Sequence, residues 1–131
     1  MNNLIIKGLE VFAYHGVHDF EKKEGQIFII DIILDIPQLQ GFETDEIDDV
    51  INYSQVIKVI KNSFSGQKYN LIEKTAYTVL ESLFKTFKQI NSADITIKKP
   101  NAPIKDKVEY VAFRVLKKRS DYNVWSVLIF G

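Results

Sequence analysis

The chain has 131 residues, of which 46% are apolar and 12% aromatic, so it is long and apolar enough for one domain with a real core. Its 17 basic and 17 acidic side chains balance, so the basic excess that is typical of a nucleic-acid-binding protein is missing. It contains no cysteine, which excludes disulfides, thiolate nucleophiles and zinc–thiolate sites. No apolar run approaches the length of a membrane span, so we expect a cytoplasmic protein without a nucleic-acid or membrane partner.

The first half of the chain predicts two strands and a loop. Residues 4–14 are rich in β-forming side chains, and Gly16 closes the run. Residues 27–36, "IFIIDIILDI", give the strongest strand signal, which Pro37 ends. Residues 38–52 are polar and acidic and predict a loop.

The second half predicts two helices followed by two strands. Apolar residues at helical spacing begin at Tyr53, and Gly66 ends that helix. A second helix starts at Asn70, with an inner face of Ile72, Ala76, Val79, Leu80, Leu83 and Phe87. "ADITIK", ended by Pro100, and "VEYVAFRVLKK" predict the last two strands. The order of elements is therefore ββααββ, an α+β fold with an antiparallel sheet.

The second predicted strand is apolar on both faces, which indicates an oligomer. One face carries Phe28, Ile30, Ile32 and Leu34, and the other mostly Ile27, Ile29, Ile33 and Ile36. A sheet with one wet face would alternate apolar and polar residues. Two helices cover only one face of four strands, so we expect another copy of the chain to meet the other face or the open edges.

The stretch "YHGVHDFEKKEGQ", residues 14–26, has two alternative interpretations. His15 and His18, with Asp19 or Glu21, form a candidate metal site, but the chain has no third histidine and the stretch is predicted as a loop rather than a ligand-spacing helix. The other interpretation is a polar connection between two strands. It is favoured for the histidines, whereas the role of Glu21 stays open.

"YNLIEKTAY" also has two interpretations. Asn70 followed three residues later by Glu73 has the spacing of a capping box, which is a purely structural role. Alternatively, a carboxylate in the first helical turn presents two acceptor oxygens to the adjacent N–H donors of a guanidine-like ring edge, such as that of a pterin or guanine.

"IKKPNAPI" places two lysines at the end of a strand. Lys98 and Lys99 must point to opposite faces, and Pro100 holds Lys99 extended, so one lysine can enter a cleft while the other meets solvent. The alternative is a solvated charge pair. At Tyr53 the structural alternative is an aromatic ring on the inward face of its helix.

In their order along residues 1–119, the motifs "GLEVFAYHGV", "EGQIFIIDI", "TDEIDDVINY", "NLIEKTA" and "KKPNAPI" resemble the dihydroneopterin aldolase family of folate synthesis. The resemblance implies the tunnelling fold, in which ββααββ subunits join sheets into tetrameric or octameric barrels with sites between subunits. It also implies retro-aldol cleavage of dihydroneopterin to 6-hydroxymethyl-dihydropterin and glycolaldehyde, without metal, cofactor or lysine Schiff base.

The same resemblance implies roles for seven residues. Lys99 performs acid–base work, Tyr53 manages protonation of the intermediate, and Glu21 orders water and the substrate tail. The residues expected to bind the pterin are Glu73, Leu71, Ile72 and Ile51.

Two features depart from the family pattern. Lys98 stands where the family usually has a small hydroxyl residue. The tail "SDYNVWSVLIFG", residues 120–131, is predicted either as an extra strand or as the remnant of a following domain, since it faintly resembles the start of the next pyrophosphokinase in folate synthesis.

Three rival functions stay open at this point. A sister epimerase of dihydroneopterin triphosphate shares fold and pocket, and many aldolases also epimerise the side chain. A non-catalytic pterin- or purine-binding module belongs to a different class. A metal-dependent pterin synthase of the same fold is the third.

Overall fold

The computed structural model describes residues 2–36 and 41–130, which form a four-stranded antiparallel sheet with helices on one face. In chain order the elements are β1 (Asn3–Ala13), α1 (Asp19–Glu24), β2 (Gln26–Asp35), α2 (Gly41–Thr44), a 3-10 turn (Ile47–Asp49), α3 (Tyr53–Ser65), α4 (Ile72–Thr86), β3 (Ser92–Lys99), β4 (Val111–Lys118) and α5 (Arg119–Phe130). The strands lie in the order β1-β2-β3-β4. The predicted ββααββ order of the main elements is confirmed.

The core lies between the sheet and the two long helices. One face of β2 is almost completely buried, as its apolar alternation predicts: Phe28, Ile30, Ile32 and Leu34. Helix α3 adds Val56, Ile60 and Phe64, and α4 adds Ala76, Val79, Leu80 and Leu83 at the predicted helical spacing. Burial of these side chains supplies the main stabilisation of the fold.

The helix-free face of the sheet carries both apolar and charged side chains and is only partly covered in the single chain. Ile5 pairs with Ile33 across β1 and β2, and both point to this face. Ile5 remains 59% exposed, and Leu116 on β4 remains 54% exposed. Strands β1 and β4 are both edge strands. The expectation that another copy meets this face or these edges stays a prediction.

The structure corrects two predicted loops. The stretch between β1 and β2 contains α1, whose residues Asp19–Glu24 were predicted to lie in a loop. The acidic stretch before α3 contains α2 and the 3-10 turn. Pro37, predicted to end the second strand, lies outside the described residues, and β2 ends at Asp35.

The prediction of an extra strand in the tail is wrong, because residues Arg119–Phe130 form α5. Helical spacing places Tyr122 and Trp125 on one face of α5, where Trp125 packs with its ring centroid 5.3 Å from that of Tyr77 on α4. Trp125 is buried by these aromatic contacts. Within the described ranges, no helix combines the length and apolarity needed to cross a bilayer.

Candidate active site

A cavity of about 330 Å³ lies at the end of the sheet where β3 terminates at Lys99. Its walls come from α1, from the start of α4 and from the turn after β3. The lining residues are Val17, His18, Glu21, Asn70, Leu71, Ile72, Glu73, Lys99, Ala102, Pro103, Ile104 and Val111. The fold thus brings five predicted site residues, Glu21, Leu71, Ile72, Glu73 and Lys99, to one place.

Glu21 and Lys99 form a shielded ion pair in this cavity. The Nζ atom of Lys99 contacts Oε2 of Glu21, and only 1% of the Glu21 side chain and 12% of the Lys99 side chain are exposed. Gln26 Nε2 donates to the same carboxylate oxygen at 3.1 Å, and the backbone N–H of His18 donates to Oε1 at 3.3 Å. These groups hold the Glu21 carboxylate in one orientation toward Lys99.

Two opposing influences set the protonation of Glu21. Burial acts to raise the pKa of Glu21, but the hydrogen bonds from Lys99, His18 and Gln26, together with the charge of Lys99, outweigh it. The pKa of Glu21 therefore lies below its ordinary value. Glu21 is a carboxylate at neutral pH, ready to hold the Lys99 ammonium.

Gly16 makes room for the Glu21 carboxylate. A Cβ atom at residue 16 would lie 2.3 Å from Cδ of Glu21, a distance at which something must shift. Gly16 also has a φ of +147°, which side-chain-bearing residues rarely adopt. The predicted strand-ending glycine therefore has a second function, because the carboxylate packs directly over it.

Both ring nitrogens of His15 are engaged by backbone groups. Nε2 lies 2.6 Å from the carbonyl oxygen of Phe64, and Nδ1 accepts the Tyr69 N–H at 3.0 Å. His15 therefore has no free lone pair for a metal. Among residues 2–36 and 41–130, there is no group of three or more His, Cys, Asp or Glu side chains that could hold a metal ion.

The two lysines at the end of β3 lie on opposite faces, as the strand geometry predicts. Lys99 enters the cavity, whereas Lys98 Nζ lies 3.0 Å from Oδ2 of Asp31 and 5.1 Å from the ring centroid of Tyr110. Asp31 also accepts the N–H of Gly8 at a bulge in β1. Lys98, the departure from the family pattern, therefore acts on the helix-free face and not in the cavity.

The capping-box interpretation of Glu73 is wrong. Helix α4 begins at Ile72, its N-cap is Leu71, and no side chain within the described chain caps it. Asn70, the predicted cap, instead accepts a hydrogen bond from the Lys22 ammonium on α1. Glu73 thus stands exposed in the first turn of α4, beside the free backbone N–H groups of the helix start.

Tyr53 and Ile51 lie away from this cavity in the single chain. Tyr53 is the first residue of α3 and is 62% exposed, so the structural alternative, an aromatic ring on the inward face of the helix, is wrong. Ile51 lines a separate cavity of about 250 Å³ together with Leu4 and Ile36. Lys98 pairs with Ile29 on β2, and Ile36 stands seven residues further along the chain, a span of about 24 Å at about 3.4 Å per residue.

Sequence reasoning missed two polar groups around Glu21. Gln26, the first residue of β2, donates to the carboxylate, while its own Oε1 is buried without a hydrogen-bond partner in the described residues. His18 contributes its backbone N–H. The only sequence signal for Gln26 is its place beside Gly25 in "EGQ", which does not indicate where the amide points.

Comparisons with known proteins identify one family by sequence and a shared fold by structure. A family model described as dihydroneopterin aldolase matches residues 4–116. The chain is 30% identical over 120 residues to dihydroneopterin aldolase 1 of Arabidopsis thaliana. This match covers 91% of this chain and 82% of the relative. Its fold is similar to the crystal structure of Escherichia coli dihydroneopterin aldolase in complex with neopterin, with a TM-score of 0.81, 23% identity and coverage of 89% and 99% of the two chains. The dihydroneopterin aldolase of Burkholderia thailandensis bound to guanine gives a TM-score of 0.76 at 18% identity, covering 90% of this chain and 91% of that one.

Proposed function

We propose, since this chain belongs to the dihydroneopterin aldolase family, that its cavity binds 7,8-dihydroneopterin and cleaves the side chain to give 6-hydroxymethyl-7,8-dihydropterin and glycolaldehyde. The chain is thus a carbon–carbon lyase of folate biosynthesis. The observation that carries the assignment is that Glu73 and the Glu21–Lys99 pair line the same cavity.

Glu73 binds the ring of the substrate. Its carboxylate accepts from the adjacent N–H donors of the aminopyrimidinone edge, an arrangement that fits two oxygens to two donors. Neopterin and guanine, the ligands in the two solved relatives, both carry this edge. Leu71 and Ile72 lie beside Glu73 and supply backbone and apolar contacts to the ring.

The substrate supplies its own electron sink. When the carbon–carbon bond breaks, its electron pair moves into the adjacent C=N bond of the dihydropterin and forms an enamine. The hydroxyl on the departing carbon loses its proton and becomes the aldehyde of glycolaldehyde, and protonation of the remaining side-chain carbon restores the imine. The protein therefore has to hold the ring, remove one proton and return another.

Lys99 performs the acid–base work, and Glu21 positions it. The Glu21 carboxylate holds the Lys99 ammonium inside the cavity, so Lys99 exchanges protons with the substrate through a bound water at a fixed position. Glu21 also orders that water and the substrate tail. Tyr53 manages protonation of the intermediate, and Ile51 packs on the ring.

We further propose that Tyr53 and Ile51 come from a second copy of the chain. Ile51 lines the cavity at the other end of the sheet, Tyr53 is 62% exposed, and neither residue lines the cavity that holds Lys99. Edge strands β1 and β4 have free backbone groups with which neighbouring copies extend the sheet. This arrangement gives a barrel-like tetramer or octamer with sites between subunits.

We assign the reaction to the cytoplasm, in line with the place of the family in folate synthesis. Residues 120–131 remain a candidate link to a following pyrophosphokinase. Because α5 packs on α4 through Trp125, we treat the tail as an extension of the aldolase domain rather than a part of its site.

Product analysis on 7,8-dihydroneopterin tests the function. We expect stoichiometric glycolaldehyde and hydroxymethyl-dihydropterin, in the presence and absence of a strong chelator. Side-chain inversion without glycolaldehyde would assign the chain as an epimerase. Pterin binding without either product would assign it as a binding module, and loss of activity with the chelator would favour metal-dependent chemistry.

A further inference from the structure

The fully buried side chain of His15 has no part in the proposed reaction. His15 follows β1 and lies among aromatic rings, with centroid distances of 4.7 Å to Phe64, 5.5 Å to Phe28 and 5.6 Å to Tyr69. A leucine would fill such a space at a lower desolvation cost. The hydrogen bonds of the ring must therefore account for a histidine at this position.

These hydrogen bonds determine a single tautomer. The carbonyl oxygen of Phe64 can only accept, so Nε2 of His15 carries the proton and donates at 2.6 Å. The Tyr69 N–H can only donate, so Nδ1 is unprotonated and accepts at 3.0 Å. An imidazolium would place two donors against each other at Tyr69. The ring works only in its neutral form.

Residues 15 and 16 contact both the segment that precedes Glu73 and the Glu21 carboxylate. The N–H of Gly16 donates to the carbonyl of Tyr69 at 2.9 Å, so residues 15 and 16 hold Tyr69 by both of its backbone groups. Tyr69 stands two residues before Leu71 and four before Glu73. On its other side, Gly16 packs against the Glu21 carboxylate.

We infer that His15 is a positioning residue, whose neutral ring ties the segment before α4 to the end of β1 and thereby fixes Glu73 relative to the Glu21–Lys99 pair. This inference rests on the proposed function for its kinetic consequences. At the exposed rim, Lys68 Nζ also donates to the backbone carbonyl of Lys22 on α1 at 2.8 Å, so His15 is the buried member of a set of cross-links between these segments.

Two isosteric substitutions separate the bonds of His15. In His15→Asn the side-chain oxygen replaces Nδ1 and can still accept from Tyr69, whereas in His15→Gln the amide nitrogen replaces Nε2 and reaches only Phe64. We expect His15→Gln to raise KM and the Kd of guanine by about tenfold and to lower kcat by about tenfold or more, because displacement of a reacting group by about 1 Å is costly. His15→Asn should retain kinetics close to those of wild type.

Phe64→Leu is the matched control, because it weakens the same packing but leaves the backbone carbonyl that His15 bonds. It should lower the thermal unfolding temperature without changing kcat or KM. If folded His15→Gln shows the same unchanged kinetics, His15 has only a structural role and the inference is overturned. Nitrogen NMR of wild type needs no variant: an Nδ1-protonated tautomer of His15 would also overturn it.

The inference and the proposed function fail separately. If wild type releases no glycolaldehyde, the proposed function fails, and the Kd of guanine still tests His15. A Kd of guanine that is higher in His15→Gln than in Phe64→Leu supports the inference, and equal values contradict it.

Discussion

Replacing Gly16 by alanine displaces the Glu21 carboxylate without changing its chemistry. The added Cβ would lie 2.3 Å from Cδ of Glu21 and 2.5 Å from each carboxylate oxygen, whereas ordinary contact starts at 3.4 Å. The carboxylate must therefore move by about 1.1 Å. A displacement of about 1 Å at a reacting group costs roughly 100-fold in rate, so we expect kcat/KM to fall by about that factor.

Gly8→Ala is the matched control for backbone strain. Gly8 also has a positive φ, +75°, but a Cβ there would meet nothing within 4 Å. Both substitutions should lower the free energy of unfolding by about 1–2 kcal/mol, because alanine must then adopt a positive φ that glycine adopts easily. Only Gly16→Ala should lose activity, since only its Cβ reaches the site.

The assay is the steady-state release of glycolaldehyde, paired with urea unfolding of each variant. Titration with guanine measures binding at Glu73. In Gly16→Ala the Kd of guanine should change by a smaller factor than kcat. Equal kcat/KM values for the two alanine variants would refute the reasoning, because the position of Glu21 would then have no effect on the reaction.

Three further predictions concern the rest of the chain. Burial and the charge of Lys99 lower the pKa of His15, although the carbonyl of Phe64 acts to raise it. The unfolded chain therefore takes up this proton at higher pH than the folded chain. In urea unfolding, the free energy of unfolding should fall as the pH drops below about 6.5, and it should fall less steeply in His15→Asn. Mixed oligomers of Tyr53→Phe and Lys99→Ala, refolded together, should regain activity at about a quarter of their sites, and no recovery would contradict sites shared between copies. Trp125→Ala should cost about 3 kcal/mol of unfolding free energy in thermal or urea melts while kcat stays unchanged, and a loss of kcat would contradict the assignment of α5 to a structural role.

The strands and helices whose buried side chains recur at a regular spacing were predictable from the sequence. The even-numbered residues of β2 from Phe28 to Leu34 pack under the helices, and the odd-numbered ones face away, as a period of two requires. The same alternation separates Lys98 from Lys99 and sends only Lys99 into the cavity. These features depend on local geometry, which the sequence carries directly.

The parts that depend on contacts between distant segments were not predictable. Asn70 has the sequence signal of a helix cap, but Lys22 on α1 bonds its side chain and α4 starts at Ile72 instead. The partners of His15 are two backbone groups more than 45 residues away in the chain. Tyr53 stands three residues before the buried Val56 but is 62% exposed, which its helical spacing does not predict.

Separate measurement of binding and cleavage in Lys99→Ala and Glu73→Ala tests most directly whether one cavity holds the ring and moves the proton. We expect Lys99→Ala to bind dihydroneopterin almost as tightly as wild type and to release glycolaldehyde at least about 100-fold more slowly, as general acid–base catalysis requires. We expect Glu73→Ala to weaken binding by about tenfold or more, because it removes charge-assisted hydrogen bonds to the ring. Cleavage by Lys99→Ala at the wild-type rate, or unchanged binding by Glu73→Ala, would contradict the account.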